Sequence, residues 1–175
     1  MAVALIATAP ARRGLRQGAV YAAAPVFWIP EDLRISRPHG SVDWSAMRGE
    51  DWRTVANRFR VGDHVELVLA RAKARPVVVA SHDRDLRARR TVRVVPVYSY
   101  NQGTFAERER RRIEAGEVPP LLHINAVGTL REGYVDLHQA TTVPRVFLDD
   151  ADHVADLDDL SLATLLHHYA TYIAA

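Results

Sequence analysis

Polar side chains stand at the ends of two apolar, β-branched runs that have the pattern of neighbouring strands. Arg75 precedes the run PVVVA, which is followed by Ser81 and His82, and the next run, TVRVVPV, is followed by Tyr98 and Ser99. Such a group can cleave RNA without a metal, because the ribose 2′-hydroxyl is a built-in nucleophile. The protein then supplies a proton acceptor, a donor to the leaving 5′ oxygen and positive charge on the phosphorane. Arginine suits the last task because its planar fork meets two phosphate oxygens.

Each of these residues also has an ordinary structural interpretation. Arg75 could form a surface ion pair before a strand, and Ser99 could cap a turn. His82 is a candidate for proton transfer, since an unperturbed imidazole titrates at about pH 6.5. It could equally be an exposed turn residue. The residue types alone therefore leave both interpretations open.

The histidines do not have the spacing of a metal site. His167 and His168 are adjacent and so cannot present two ligands on one helix face. Four others form no i, i+4 pair: His82, His123, His138 and His153. Signature motifs for nucleotide phosphates, dinucleotides and α/β-hydrolase nucleophiles are missing from the sequence. We therefore expect no metal and no cofactor.

Length and composition indicate one globular domain with a substantial core. The chain has 175 residues, of which 48% are hydrophobic, so collagen-like, mucin-like and wholly disordered chains are excluded. Residues 1–145 hold all 23 cations and 15 acids, a net charge of +8, whereas residues 146–175 hold six aspartates and no cation. The basic part favours phosphate-bearing partners, unless the acidic segment only neutralises its own surface.

The cellular setting is inferred from cysteine content and hydropathy. There is no cysteine, which excludes disulfides and thiolate catalysis and suggests a reducing compartment, so we expect a cytoplasmic protein. The apolar start, residues 1–10, lacks a cationic n-region and is interpreted as a leader segment or a first strand. No run of about 18 apolar residues exists, so a transmembrane helix is not expected.

Hydrophobic periodicity predicts several short strands followed by a terminal helix. Apolar or β-branched runs predict strands within the ranges 17–29, 62–71, 76–80, 91–97, 121–124, 133–137 and 143–148. Residues 82–90 are predicted to form a charged turn, residues 30–60 a loop with a short helix near 51–59, and residues 107–117 a solvated helix. Leucines at helical spacing after Asp158 and Asp159 predict an amphipathic helix over 160–173. The fold class is α+β, mainly β, a small antiparallel barrel or sheet.

Several of these segments resemble the MazF/PemK (Kid-like) toxins of bacterial toxin and antitoxin pairs. The similar segments are KARPVVVAS at 73–81, VRVVPVYS at 92–99 and GYVDLHQATTVPRVFL at 133–148. The opening strand of the family corresponds to RQGAVYAA at 16–23 or to GDHVELV at 62–68. The resemblance covers about half of the chain, and its last segment is the most specific.

The resemblance implies an SH3-like barrel with a C-terminal helix, a homodimer and a metal-independent, sequence-selective endoribonuclease. This activity would cleave single-stranded RNA, such as mRNA, and leave a cyclic phosphate, and an acidic antitoxin protein would lie over the RNA groove. The chain would be a single domain, 1–175, with 30–60 as an insertion and 149–175 as an acidic tail plus the terminal helix. The family's catalytic arginine matches Arg75, whereas its threonine falls on Tyr98 and the following serine on Ser99.

The predicted groove is lined by cations on or beside the strands. Arg71, Arg93 and Arg145 are expected to contact RNA phosphates, and the charged helix at 107–117 is expected to matter less. Two other classes of function stay open. One is a non-catalytic barrel that binds protein or nucleic acid, as in gyrase-poisoning toxins of the CcdB type, and the other is an accessory domain that docks through the helix at 160–173. Cleavage of RNA in the presence of EDTA would separate the nuclease from a binding protein.

Overall fold

A computed structural model describes residues 4–10, 14–28, 35–36, 67–68, 71–100 and 107–174. The chain divides into two compact units, one of Met1–Val26 with Ala74–Ala175 and the other of Phe27–Lys73. The predicted helix near 51–59 lies outside the described residues, as does most of the predicted insertion at 30–60.

The described part of the chain contains eleven strands. They are β1 (Ala4–Leu5), β2 (Ala7–Thr8), β3 (Ala19–Trp28), β4 (Ile35–Ser36), β5 (Leu67–Val68), β6 (Arg71–Val79), β7 (Thr91–Ser99), β8 (Leu121–Ile124), β9 (Gly133–Asp136), β10 (Thr141–Pro144) and β11 (His153–Leu157). In the second unit, β4 pairs antiparallel with β5, with Ile35 opposite Val68.

The other strands form one sheet that nearly closes on itself. Its order is β1-β8-β9-β7-β6-β3-β11-β2, and β10 pairs with β7. β1 pairs parallel with β8, while β2 pairs antiparallel with β11 at the other end of the sheet. Because β1 and β2 are separated by Ile6 alone, one short segment joins the two edges. The protein is therefore a mixed α/β structure, mainly of strands, with a barrel-like sheet.

Helices cover parts of this sheet. The described α-helices are α1 (Asp83–Ala88), α2 (Glu107–Glu114), α3 (Val146–Asp149) and α4 (Asp159–Ala174), and a 3₁₀ helix spans Leu137–Gln139. The prediction of a terminal helix is confirmed by α4, whose Ser161 backbone N–H donates to Asp158 at 2.7 Å. None of the helices in the described ranges combines the length and the apolar character that a bilayer crossing requires.

The strands bury alternate side chains on two faces, as period-2 alternation requires. One core cluster fills the interior of the sheet and includes Val78, Val95, Val97, Leu122, Ile124, Val135 and, from α4, Leu165. The second lies on the outer face, where Leu86 of α1 and Leu148 of α3 cover Val77, Val79, Val92 and Val94. The rest of the outer face, toward β8 and β9, carries the aromatic and charged side chains described below.

Two local predictions are wrong. Residues 82–90 contain the helix α1 instead of only a charged turn, because Leu86 anchors that segment on the outer core. The strand predicted at 143–148 ends at Pro144, and α3 follows from Val146. Five other predicted strands are confirmed in β3, β6, β7, β8 and β9.

The acidic C-terminal segment contributes a strand to the sheet. β11 lies between β3 and β2, although its sequence HVADL carries no clear strand pattern. Its buried Asp156 forms an ion pair with Arg16 and lies 2.8 Å from His153 Nε2. The ion pair with Arg16, which is distant in sequence, holds in the sheet a segment that local propensity does not predict.

Candidate functional site

Arg75 and Tyr98 meet on the outer face of the sheet. β6 and β7 are antiparallel, with Val77 opposite Pro96 and Val79 opposite Val94, so continuing this register brings Arg75 opposite Tyr98. The guanidinium carbon of Arg75 lies 4.2 Å from the centroid of the Tyr98 ring. Both side chains are partly exposed. A cation–π contact at this distance fixes the guanidinium on the ring while leaving its edge open to solvent.

Tyr98 begins a row of stacked rings that crosses the sheet. Tyr98 and Tyr134 are directly opposite on β7 and β9, with ring centroids 5.4 Å apart and an angle of 14° between planes. Tyr100 lies 5.6 Å from Tyr134 and 5.9 Å from His123 of β8. We call Tyr98, Tyr134, Tyr100 and His123 the aromatic row. Because its members cover one another's faces, the row is suited to fixing phenol hydroxyls in place and less suited to stacking nucleobases.

The phenols of the aromatic row stay protonated at neutral pH. Burial raises the pKa of Tyr134 to about 12 and also raises that of Tyr100. Burial raises the pKa of Tyr98 as well, although the positive charge of Arg75 works in the opposite direction. Tyr98 therefore presents a hydroxyl that donates a hydrogen bond instead of a phenolate that accepts one.

Asp136 adds a carboxylate to this end of the row. It lies two residues after Tyr134, on the same face of β9, and its pKa is raised mainly by burial. The backbone N–H of His138 donates to its Oδ1 at 3.0 Å and partly offsets that effect. Its negative charge adds to the effect of burial in raising the pKa values of Tyr98 and Tyr134. We call Arg75, Tyr98, Tyr134 and Asp136 the Arg75 site.

Sequence reasoning did not single out Asp136. The residue stands in the GYVDL segment that supports the family resemblance, where only the strand was considered. The alternation of side chains along a strand could have identified it, because Tyr134 and Asp136 are two residues apart and so share a face of a strand that begins at Gly133.

Ser99 lies beside the Arg75 site with its side chain on the other face of β7. It pairs with Gly133 of β9, whereas Tyr98 pairs with Tyr134. Gly133 is buried, and a Cβ atom at this position would overlap the carbonyl oxygen of Tyr98. The strands approach closely here because Gly133 has no side chain, and this approach supports the stacking of Tyr98 on Tyr134.

His82 is not brought to the Arg75 site. It lies seven residues beyond Arg75, past the far end of β6, which corresponds to roughly 20 Å along an extended chain. Its Nδ1 accepts a hydrogen bond from the Arg84 backbone N–H at 3.1 Å and so caps α1. This placement gives His82 a structural role at the start of α1.

The predicted RNA-binding arginines are dispersed. Arg93 lies on the face of β7 opposite to Tyr98, with its guanidinium carbon 6.0 Å from the Tyr169 ring of α4. Arg145 donates to the Leu86 carbonyl oxygen at 2.7 Å and so ties the segment before α3 to α1. The side chain of Arg71 lies outside the described residues. Among the predicted cations whose side chains are described, Arg75 alone is seen in contact with the Tyr98 ring.

The opposite end of the aromatic row carries a second charged group, which consists of Arg110, Glu114, Glu132 and His123. Arg110 of α2 lies 5.0 Å from the centroid of Tyr100 and donates to Glu114 at 2.6 Å and to Glu132 at 3.0 Å. His123 Nδ1 is 3.2 Å from the Tyr100 hydroxyl, and its Nε2 is 3.8 Å from Glu132. Burial lowers the pKa of His123, so its ring is neutral at pH 7.

Glu114, His123 and Glu132 could in principle hold a metal ion. Their donor atoms lie within 4.8 Å of one another. However, the Arg110 guanidinium bridges the two carboxylates and competes with any other cation. The arrangement is that of an ion-pair network packed on an aromatic ring.

Comparison with known proteins finds no protein-family model and no curated protein sequence that matches the chain.

Proposed function

We propose that this protein is a metal-independent endoribonuclease that cleaves single-stranded RNA through a 2′,3′-cyclic phosphate. The observation that carries the proposal is the Arg75 guanidinium stacked on the Tyr98 ring, on the sheet face that also carries Asp136. The resemblance to MazF/PemK toxins in the segments 73–81, 92–99 and 133–148 supports it. The nearly closed sheet with a terminal helix is compatible with the SH3-like barrel of that family.

Three residues of the Arg75 site, Asp136, Arg75 and Tyr98, have a direct role in this reaction. Asp136 accepts the proton of the ribose 2′-hydroxyl as the 2′ oxygen forms its bond to phosphorus. Because its pKa is raised, the ionised carboxylate is a stronger base than that of an ordinary aspartate. The Arg75 guanidinium binds two phosphate oxygens and stabilises the phosphorane. The bond from phosphorus to the 5′ oxygen then breaks, and the Tyr98 hydroxyl donates the proton that the 5′ oxygen takes up.

The replacement of threonine by Tyr98 is compatible with activity on this view. A phenol reaches farther from the backbone than a threonine hydroxyl does, and its ring provides the surface on which Arg75 lies. The row of rings behind Tyr98 limits its rotation. Ser99 faces away from Arg75, so Tyr98 is the hydroxyl donor that we propose.

The proposal includes the partners that the resemblance implies. An acidic antitoxin segment would place its carboxylates on Arg75 and exclude the phosphates of RNA from the site. The protein would act in the cytoplasm as a homodimer. A non-catalytic barrel that binds RNA or protein is the alternative, and it predicts RNA binding without cleavage.

In the proposed homodimer, α4 is expected to stay packed on the barrel of its own chain and not to form the dimer contact. The apolar side chains Leu162, Leu165 and Tyr169 already pack against the interior core. Exposed apolar side chains available for a two-fold contact include Val146 and Phe147, whose exposed fractions are 57% and 37%. Sedimentation equilibrium at micromolar concentration is expected to give twice the chain mass of 19.6 kDa. A mass of one chain across that range would remove the dimer from the proposal.

Asp136→Asn is expected to reduce RNA cleavage about 100-fold, the effect of losing a general base. In the native protein the rate should rise with pH through the raised pKa of Asp136, because the base acts only when ionised. The variant should lose this part of the pH profile. The assay uses a mixed-sequence RNA in EDTA, with the terminal phosphate identified by mass spectrometry.

Asp136→Asn is expected to lower activity without lowering stability. A melting measurement therefore distinguishes loss of the base from damage to the fold. A raised pKa means that the folded state binds the Asp136 proton more tightly than the unfolded state, whose value is near 3.8. Folding is therefore penalised as pH rises through the folded-state pKa, and asparagine avoids that penalty at pH 7. We expect Asp136→Asn to melt at or above the native temperature at pH 7. Asp150→Asn, at an exposed carboxylate, is the matched control and should cleave normally.

A further inference from the structure

The ion pair of Arg110 and Glu132 is the exposed part of the second charged group. Their side chains are 35% and 43% exposed, whereas His123 behind them is 12% exposed. Arg110 also packs on the Tyr100 ring and bonds to Glu114, so its guanidinium is held from two sides. The pair is thus a positioned donor and acceptor at the surface, at the end of the aromatic row away from Arg75.

Much of the hydrogen-bonding capacity of this pair is unused by the described residues. A guanidinium carries five N–H donors, of which Arg110 uses Nε–H toward Glu114 and one Nη2–H toward Glu132. The Glu132 carboxylate has two oxygens with about four acceptor positions, and Arg110 occupies one of them at Oε2. A ligand at the exposed side of this ion pair can therefore accept hydrogen bonds from Arg110 and donate hydrogen bonds to the two carboxylate oxygens of Glu132.

This order of groups matches the Watson–Crick edge of guanine. Guanine presents one acceptor, O6, beside two donors, N1–H and N2–H, and so needs a donor beside two acceptors. Adenine presents a donor and an acceptor in a different order and would set its N6–H against the arginine. Uracil and cytosine each lack the pair of adjacent donors. Because the hydrogen bonds to ionised groups are the strong ones, the match discriminates among the bases.

We propose that Arg110 and Glu132 form a guanine-binding subsite in which Arg110 donates to O6 and Glu132 accepts from N1–H and N2–H. This inference rests on the proposed function, since it assigns the subsite to RNA whose phosphate is cleaved at Arg75. The connection is physical: Tyr98, Tyr134 and Tyr100 lie in successive contact between the two ends. Since three rings in successive contact separate Arg75 from Arg110, we place the guanine on a nucleotide next to the scissile phosphate and not at the phosphate itself.

A second ion pair, whose arginine is also on α2, provides the matched control. Arg111 and Glu107 of α2 are also joined by a hydrogen bond, at 3.1 Å, and their side chains are 75% and 66% exposed. Arg111 has no ring contact with the aromatic row among the contacts seen in the described residues. Glu107→Gln changes the net charge of the protein by the same amount as Glu132→Gln and should not change a base preference.

Glu132→Gln is the sharpest test of the subsite. A carboxamide has one acceptor and one donor, so it loses one guanine contact and gains the pattern that pairs with adenine. In EDTA, the native protein is expected to cleave RNA with a guanine next to the scissile phosphate about tenfold faster than the same RNA with adenine there. Glu132→Gln should remove or reverse this preference, and Glu107→Gln should retain it.

Direct binding distinguishes failure of the subsite from failure of the nuclease. Calorimetry with guanosine 3′-monophosphate and adenosine 3′-monophosphate is expected to show about tenfold tighter binding of the guanine nucleotide to the native protein, and a loss of that difference in Glu132→Gln. Guanine-selective binding without cleavage would leave the subsite standing and overturn the nuclease. Cleavage without a guanine preference, or a preference that survives in Glu132→Gln, would overturn the subsite and leave the nuclease standing.

Discussion

Arg75→Ala is expected to lower the rate of RNA cleavage in EDTA by about 1,000-fold while the protein stays folded. The phosphorane carries more negative charge than the bound phosphate, and removal of a positioned charge donor from such a site costs roughly this factor. The loss of the stack on Tyr98 should cost about 1 kcal/mol of stability or less, the size of a partly exposed cation–π contact. Initial rates on a fluorogenic RNA, with thermal melting of the same sample, measure both effects.

Two further variants are the controls for this experiment: Arg75→Lys tests the shape of the guanidinium, and Arg111→Ala tests the effect of net charge. Lysine keeps the positive charge but loses the planar fork that stacks on Tyr98 and grips two oxygens, so it should recover only a small part of the rate. Arg111 lies on the exposed side of α2, and its removal lowers the net charge equally without touching the site. A native cleavage rate in Arg75→Ala would show that Arg75 is a surface residue and would overturn its assignment to the active site, whereas RNA binding without cleavage by the native protein would favour the binding-module alternative.

The strands that carry the Arg75 site could be predicted from the sequence. The runs PVVVA and TVRVVPV consist mainly of β-branched residues, most of which are buried, and such runs favour strands. A hairpin-like antiparallel pairing then brings the residue before one run next to the residue after the other. Arg75 and Tyr98 meet for this reason.

The positions of the other predicted residues depend on alternation and on contacts that are distant in sequence. Arg93 and Tyr98 are five residues apart, an odd number, so an extended strand places them on opposite faces. Strict use of that rule excludes Arg93 from the site and brings Asp136 to the face of Tyr134. By contrast, nothing local indicates that Arg145 bonds to the Leu86 carbonyl or that β11 enters the sheet. Those features depend on pairs more than 50 residues apart.

Gly133→Ala is expected to destabilise the protein by about 3 kcal/mol or more, through backbone overlap rather than through lost flexibility. The new Cβ would meet the carbonyl oxygen and carbon of Tyr98 and would lie 3.1 Å from the Ser99 Cα. These are main-chain atoms of a buried strand, so relief requires β7 and β9 to separate. Overpacking of this kind is among the costliest single substitutions. For a chain of this length the melting temperature should fall by about 10 °C.

Gly128→Ala separates this clash from the general cost of replacing a glycine. Gly128 has a φ of +53°, and the nearest atom to an added Cβ is the Val154 carbonyl oxygen at 3.9 Å. Only the left-handed backbone conformation is penalised there, by about 1 kcal/mol. Since separation of β7 from β9 also moves Tyr98 off Tyr134, Gly133→Ala should reduce RNA cleavage even at temperatures where it is fully folded. Equal melting temperatures for the two variants would show that the strands do not approach as closely as the structure indicates, and the support for Tyr98 would then have to come from Arg75 alone.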